Sequence, residues 1–195
     1  MKSAYLVAAV MSLAAQVHAG SAILTLENGD DGGQPFNTTY FTLTNTSAAG
    51  VELTGMSLTI GDSSFNYDFV YARRESFSPA GATATLLVGD RSDDGGRTEL
   101  FTYGFTGFGP STVFTSQFDI DPDGPPGAFE ANARTVLFSN GPADNAVLTL
   151  NFTDGDLVYT FPDFDQLERY SISIVPEPTG LALLAAPVML LRRKR

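Results

Sequence analysis

The chain has 195 residues and a formal net charge of −11, with no cysteine, no tryptophan and a single histidine, His18. Those absences exclude disulfides, a thiolate nucleophile and Cys/His zinc clusters, and with His18 among the first nineteen residues they exclude a Ser-His-Asp triad in the rest of the chain. Setting Glu177 aside from the 22 acidic residues, and Lys2 and the four terminal cations from the 11 basic ones, leaves residues 20–174 with 21 acids, six arginines and no lysine, about −15. Such a body repels nucleic acid and anionic lipid, so no nucleic-acid partner is expected; divalent cations, basic proteins and neutral polymers suit it. Without lysine there is no Schiff base and no Lys-Asn cross-link. Carboxylate chemistry remains, as a glycosidase-like acid/base pair or an oxygen-ligand metal site.

Residues 1–19 read as an export signal. Lys2 and the amino terminus form a thin positive region, residues 4–15 an apolar run, and Val17-His18-Ala19 the small residues that a signal peptidase reads. Cleavage is expected after Ala19, with Ala22 in Gly20-Ser21-Ala22 as the alternative. The segment after it reads as strands throughout. Period-two alternation of apolar and β-branched residues marks 22–27, 40–44, 53–60, 65–71, 83–88, 99–105, 112–118, 134–138, 147–152, 157–161 and 170–174. Turn signals separate them: Gly29-Asp30-Asp31-Gly32-Gly33, Gly61-Asp62, Asp93-Asp94-Gly95-Gly96, Asn140-Gly141-Pro142 and Asp154-Gly155. The last of these is expected at the tip of a hairpin joining 148–152 to 157–161. Short strands at this spacing predict an all-β fold, a single antiparallel β-sandwich of jelly-roll-like form.

Three constellations carry possible chemistry. Asp119, Asp121 and Asp123 before Gly124, with Glu130 six residues further on, match the ligand spacing of an EF-hand loop, where alternate carboxylates around a glycine bend converge on a hard cation. No helix is predicted on either side, and Pro125 and Pro126 stand where an EF-hand has its short β-like bridge. The expectation is a Ca2+ loop between strands, set against an acidic Pro/Gly turn that keeps a sheet edge soluble. Asn37, Asn45 and Asn151 begin glycosylation-type triplets, which a threonine-rich β chain also produces by chance. Tyr67, Tyr71, Tyr103, Phe105 and Phe108 would either line a glycan groove or fill the core. Arg73 and Arg74 beside Glu75 read as a paired surface patch, and Asp30, Asp31, Asp93 and Asp94 as solvated turn residues.

The carboxyl-terminal stretch has three parts in order: Val175, Pro176, Glu177 and Pro178; a 13-residue run, 179–191, apolar after Thr179; and Arg192, Arg193, Lys194 and Arg195. The prolines end whatever element precedes them, and the cations are costly to carry across a membrane. A helix of 13 residues spans roughly 20 Å against a hydrocarbon core of ~30 Å. Pro187 interrupts it as well, so thinning of the bilayer and snorkelling of the basic stems are needed to bridge the gap.

This three-part order resembles the PEP-CTERM sorting signal of exported proteins in Gram-negative bacteria that form exopolysaccharide matrices. The likeness covers about the last tenth of the chain. It implies processing by exosortase, a membrane-embedded Cys-type transpeptidase-like enzyme, after signal peptidase has acted at the front. It also implies a precursor anchored in the inner membrane by a short carboxyl-terminal helix and then delivered to the cell surface or extracellular matrix. Residues 118–161 loosely resemble a segment of ectodomains that carry this tail, which implies no activity. The organisation expected is a signal peptide over 1–19, a sandwich over 20–174 and a sorting tail over 175–195. The body is read as a non-enzymatic structural or binding module, with no catalytic residues and exopolysaccharide as a partner. The alternative is a secreted glycan-binding or glycan-hydrolysing protein that uses surface carboxylates.

Overall fold

The computed structural model describes residues 20–28, 39–67, 70, 75–89, 98–123, 133–138, 144–163 and 169–176. Ala19–Pro176 form one compact unit; a second, Met1–His18 with Glu177–Arg195, lies wholly outside the described residues. The expectations for the export signal, Ala19, Glu177, Pro178, the cations Arg192 to Arg195, Glu130, Asn37, Tyr71, Arg73, Arg74, Asp30, Asp31, Asp93 and Asp94 fall outside them as well.

The described body is all-β. One five-stranded sheet runs in the order β12 (Arg169–Ile174), β1 (Ala22–Asn28), β2 (Thr39–Asn45), β8 (Val113–Phe118), β5 (Ser76–Ser78). A second runs β11 (Gly155–Thr160), β10 (Val147–Phe152), β3 (Leu53–Thr59), β7 (Leu100–Thr106), β6 (Thr83–Val88). β4 (Phe65–Asn66) and β9 (Asp121–Pro122) pair as a small ribbon. All these pairings are antiparallel.

Because side chains alternate along a strand, register decides what each face carries. In the first sheet Ile172, Leu24, Leu43, Phe114 and Phe77 align across the five strands. One residue along, Ser171, Thr25, Thr42, Thr115 and Ser76 align in the same way. In the second sheet Leu157, Leu150, Met56, Tyr103 and Leu86 make the corresponding apolar row. The two apolar faces contribute to one core. Aromatic side chains dominate its middle: Phe41 of β2 lies 6.0 Å from Phe101 of β7, and Phe114 of β8 lies 5.2 Å from Tyr103 and 5.1 Å from Phe105. Edge-to-face pairs such as Tyr67 on Phe101, at 4.8 Å and 81°, add to what simple burial contributes.

Four local expectations are corrected. Residues 134–138 are not a strand: Ala133–Phe138 form a six-residue helix, α1. Val136, Leu137 and Phe138 are consecutive and all buried, a pattern that alternation cannot assign and that a short helix satisfies. Phe138 packs 4.9 Å from Phe161, just past β11, and 4.6 Å from Tyr170 of β12, so α1 bridges the end of β11 and the edge strand of the first sheet. The strand expected over 65–71 stops after Asn66; Tyr67 and Val70 make only isolated bridges, to Thr98 and Phe118. β5 and β9 arise where no strand was expected, each held by pairing with a distant partner. The β10–β11 hairpin forms, but Phe152 pairs with Gly155, so Thr153 and Asp154 make the turn and the tip sits one residue earlier. Gly155 follows at φ 138°, a backbone angle that favours glycine.

Candidate functional site

The acidic loop is only partly gathered. Asp119 is buried, 5% exposed, and its Oδ1 accepts from the Ile120 N–H at 2.9 Å. Asp121 lies in β9, paired with Asn66 of β4. Asp123 is exposed; its N–H donates to the Ser64 carbonyl at 2.7 Å, and its Oδ1 accepts from Asn66 Nδ2 at 2.9 Å. Asn66, absent from the ligand pattern read in the sequence, thus meets Asp123 across the ribbon. Among the described residues no three His, Cys, Asp or Glu side chains group closely enough to hold a metal ion.

The four aromatic residues of that set that lie among the described residues do not line a groove. Tyr67, Tyr103 and Phe108 are 0% exposed and Phe105 7%, all within the core. Tyr103 turns its hydroxyl to two polar neighbours, donating to Glu75 Oε1 at 2.7 Å and meeting Ser116 Oγ at 3.1 Å. Tyr67 OH has no hydrogen-bond partner among the described residues, and burial holds its phenol well above the ordinary tyrosine range. Tyr170 is raised too, first by burial and then by its hydrogen bond and charge interaction with Tyr159. Asn45 is fully buried: its Nδ2 donates to the Phe108 and Val51 carbonyls at 2.8 and 3.2 Å, and its Oδ1 accepts from Ser47 N–H at 3.0 Å. Asn151 donates to Asp156 Oδ1 at 2.9 Å. Both side-chain amides are thus engaged in hydrogen bonds within the body.

Two further features stand out, one on the outer face of the first sheet and one at the start of the described chain. The first is the row Ser171, Thr25, Thr42, Thr115 and Ser76, one hydroxyl on each strand of the first sheet, with Thr25 and Ser171 bonded at 3.1 Å. Ser171 and Ser76 are exposed and the three threonines half-buried. At about 4.8 Å between strands, the row extends roughly 19 Å. Alternation implied a polar outer face, but only the inter-strand register, set by non-local pairing, aligns five hydroxyls.

The second is the start of the described chain. Gly20 is buried and its N–H donates to Asp154 Oδ2, in the turn of the β10–β11 hairpin, at 3.1 Å. Ser21 N–H donates to Ser47 Oγ at 2.9 Å, Ser47 Oγ donates to the Ser21 carbonyl at 3.2 Å, and the Ser21 hydroxyl meets Thr46 Oγ1 at 2.9 Å. On the hairpin side, Thr153 N–H donates to the Glu52 carbonyl at 2.9 Å while Thr153 Oγ1 accepts from Glu52 N–H at 3.2 Å. The first two residues after Ala19 are therefore tied to two separate loops. No sequence signal announced this, since Gly20 and Asp154 are 134 residues apart.

No family model matches the chain, and neither does any curated protein or solved structure.

Proposed function

We propose that this chain is the precursor of an exported cell-surface or extracellular-matrix protein, cut by signal peptidase after Ala19 and sorted through residues 175–195 by exosortase. The observation that carries the reading is the order of the tail: Val175, Pro176, Glu177 and Pro178, an apolar run, and four terminal cations. The β unit supports it by occupying Ala19–Pro176, between the two segments, and by ending in an exposed Val175. Gly20 and Ser21 are bonded into that unit, which favours Ala19 over Ala22 as the cleavage site. Two five-stranded sheets sharing one core support a β-sandwich, and the chain's repeated crossing between them supports a jelly-roll-like form. The body is a non-enzymatic structural or binding module. Replacing Pro176, Glu177 and Pro178 with alanine should leave export intact but keep the protein full-length in the membrane, read by mass spectrometry of the carboxyl-terminal peptide. Wild type and mutant both retaining Arg195, or both losing it alike, would end the sorting reading.

A second reading, contact with a neutral glycan, is favoured by the hydroxyl row. Five hydroxyls at strand spacing offer donors and acceptors at intervals close to the advance per sugar of an extended pyranose chain. A body near −15 repels anionic polymers but not neutral ones. Screening the protein on neutral and acidic polysaccharides separates binding from hydrolysis. Calcium stays the ligand proposed for the 119–130 loop. Bound ion would raise the unfolding temperature more than magnesium or matched sodium chloride does, by ~2.7 kcal/mol of stability at a hundredfold excess over Kd. Equal responses to all three salts would reduce the loop to a solvated turn.

A further inference from the structure

We propose that the turn of the β10–β11 hairpin is a binding site for an α-ammonium group, the one that appears on Gly20 when the export signal is removed. The proposal rests on cleavage after Ala19. Before cleavage the Gly20 nitrogen is an amide with one hydrogen and no charge, bonded to Asp154 Oδ2 at 3.1 Å. Hydrolysis of the Ala19–Gly20 bond consumes one water. Ala19 leaves with the new carboxylate, and the Gly20 nitrogen, now an amine, takes up a proton at neutral pH. The same atom then carries a positive charge and three donors, next to a carboxylate oxygen. Charge-assisted hydrogen bonds are shorter and roughly twice as strong as neutral ones, so the contact strengthens on maturation without the backbone moving.

The geometry is selective for glycine at this point. A Cβ on Gly20 would stand 2.7 Å from Phe152 Cγ and 3.1 Å from Asp154 Oδ1. The Phe152 ring lies against one side of the residue and the Asp154 carboxylate against another, which leaves room for hydrogen only. Ser21, bonded through its N–H, carbonyl and hydroxyl to Thr46 and Ser47, holds the next residue in place. Composition makes the charge distinctive. Residues 20–174 contain no lysine, so the Gly20 ammonium is the only primary ammonium in an acidic body. The uncleaved chain folds with a neutral contact at this point and the cleaved chain with an ion pair.

Selective acylation tests this, because Lys194 is the only other primary amine in a chain from Gly20 to Arg195. The chain from Gly20 to Arg195, exported in a host that has no exosortase and so keeps its tail, is treated with an N-hydroxysuccinimide acetate, folded or unfolded in guanidinium, and the terminal peptides are quantified by mass spectrometry. In the folded protein, Gly20 should acylate about tenfold more slowly than in the unfolded chain, measured relative to Lys194. Asp154→Asn keeps the shape and an acceptor but removes the charge, and should restore most of that rate. Equal rates for folded and unfolded wild type overturn the proposal, as does an Asp154→Asn protein that folds and stays as protected as wild type. If Asp154→Asn does not fold, the wild-type comparison decides alone. An amino-terminal peptide that starts anywhere but Gly20 overturns the premise and the proposal together; a Gly20 start with an unprotected amine overturns the proposal only.

Discussion

The two faces of the first sheet differ by one residue of register and by nearly everything else. Ile172, Leu24, Leu43, Phe114 and Phe77 look into the core, while Ser171, Thr25, Thr42, Thr115 and Ser76 make the row beside them on the opposite face. The same backbone ladder carries both. Inner positions are surrounded by apolar atoms, so changes there cost stability. Outer positions are bounded on one side by solvent, so changes there alter what the surface can bind and little else.

The sharpest way to break the comparison is to truncate one residue on each face at neighbouring positions. Phe114→Ala removes a ring that meets Phe41, Phe77, Tyr103 and Phe105 within 5.6 Å, and should cost about 3–5 kcal/mol in denaturant unfolding. Thr115→Ala, its neighbour in β8, should stay within about 0.5 kcal/mol. Comparable losses at both sites would mean that the outer face is covered.

Alkali probes the inner face without mutation. Tyr67 keeps its proton in the folded chain well above the pH at which an unfolded tyrosine loses it. Above about pH 10 the unfolded state binds fewer protons than the native one, so stability falls as pH rises, by up to about 1.4 kcal/mol per pH unit for this group, and is unaffected below. Tyr170 adds a change of the same sign. Unfolding midpoints from pH 8 to 11, read with tyrosine absorbance, check it; a flat profile would contradict the buried phenol.

Tyr67→Phe is smaller and opposite in sign to most core changes. The hydroxyl it removes has no hydrogen-bond partner among the described residues, so the variant should gain up to about 1 kcal/mol and lose part of the alkaline slope. A loss of stability instead would place an ordered water on that hydroxyl. Least in stability terms, Thr42→Glu puts a charge in the middle of the outer row. Unfolding should shift by about 0.5 kcal/mol or less. Retention on a neutral polysaccharide in affinity electrophoresis should be lost if that row makes the contact, and unchanged retention would remove the second reading.

Alternation made the faces of β1, β2, β8 and β10 legible, because one residue in two must reach the core. It failed where neighbours rather than period set the conformation. Val136, Leu137 and Phe138 form an apolar run without period, and the Phe161 and Tyr170 rings accept it as a helix. β5 and β9, three and two residues long, exist because β8 and β4 supply partners, and pairing between distant segments leaves no trace in a local window. The core aromatics were visible but their side was not, since a tyrosine lining a groove and one filling a core read alike. Asp154 was legible as a turn residue, whereas its contact with Gly20 depends on two loops meeting at one end of the body.

That end also determines how the protein bears load. β1 and β12 are adjacent and antiparallel, with Ala22 opposite Ile174, so the chain enters and leaves the described body side by side. Tension drawing Val175 away from Gly20 meets the β1–β12 pairs one at a time, from Ala22 and Ile174 towards Glu27 and Arg169, instead of shearing them together. Among the described residues β12 is an edge strand with a partner on one side only, so it peels like a zipper. The body should therefore give way at low force when pulled by its two ends, and resist far better when gripped at one end and at the opposite end of the sheet.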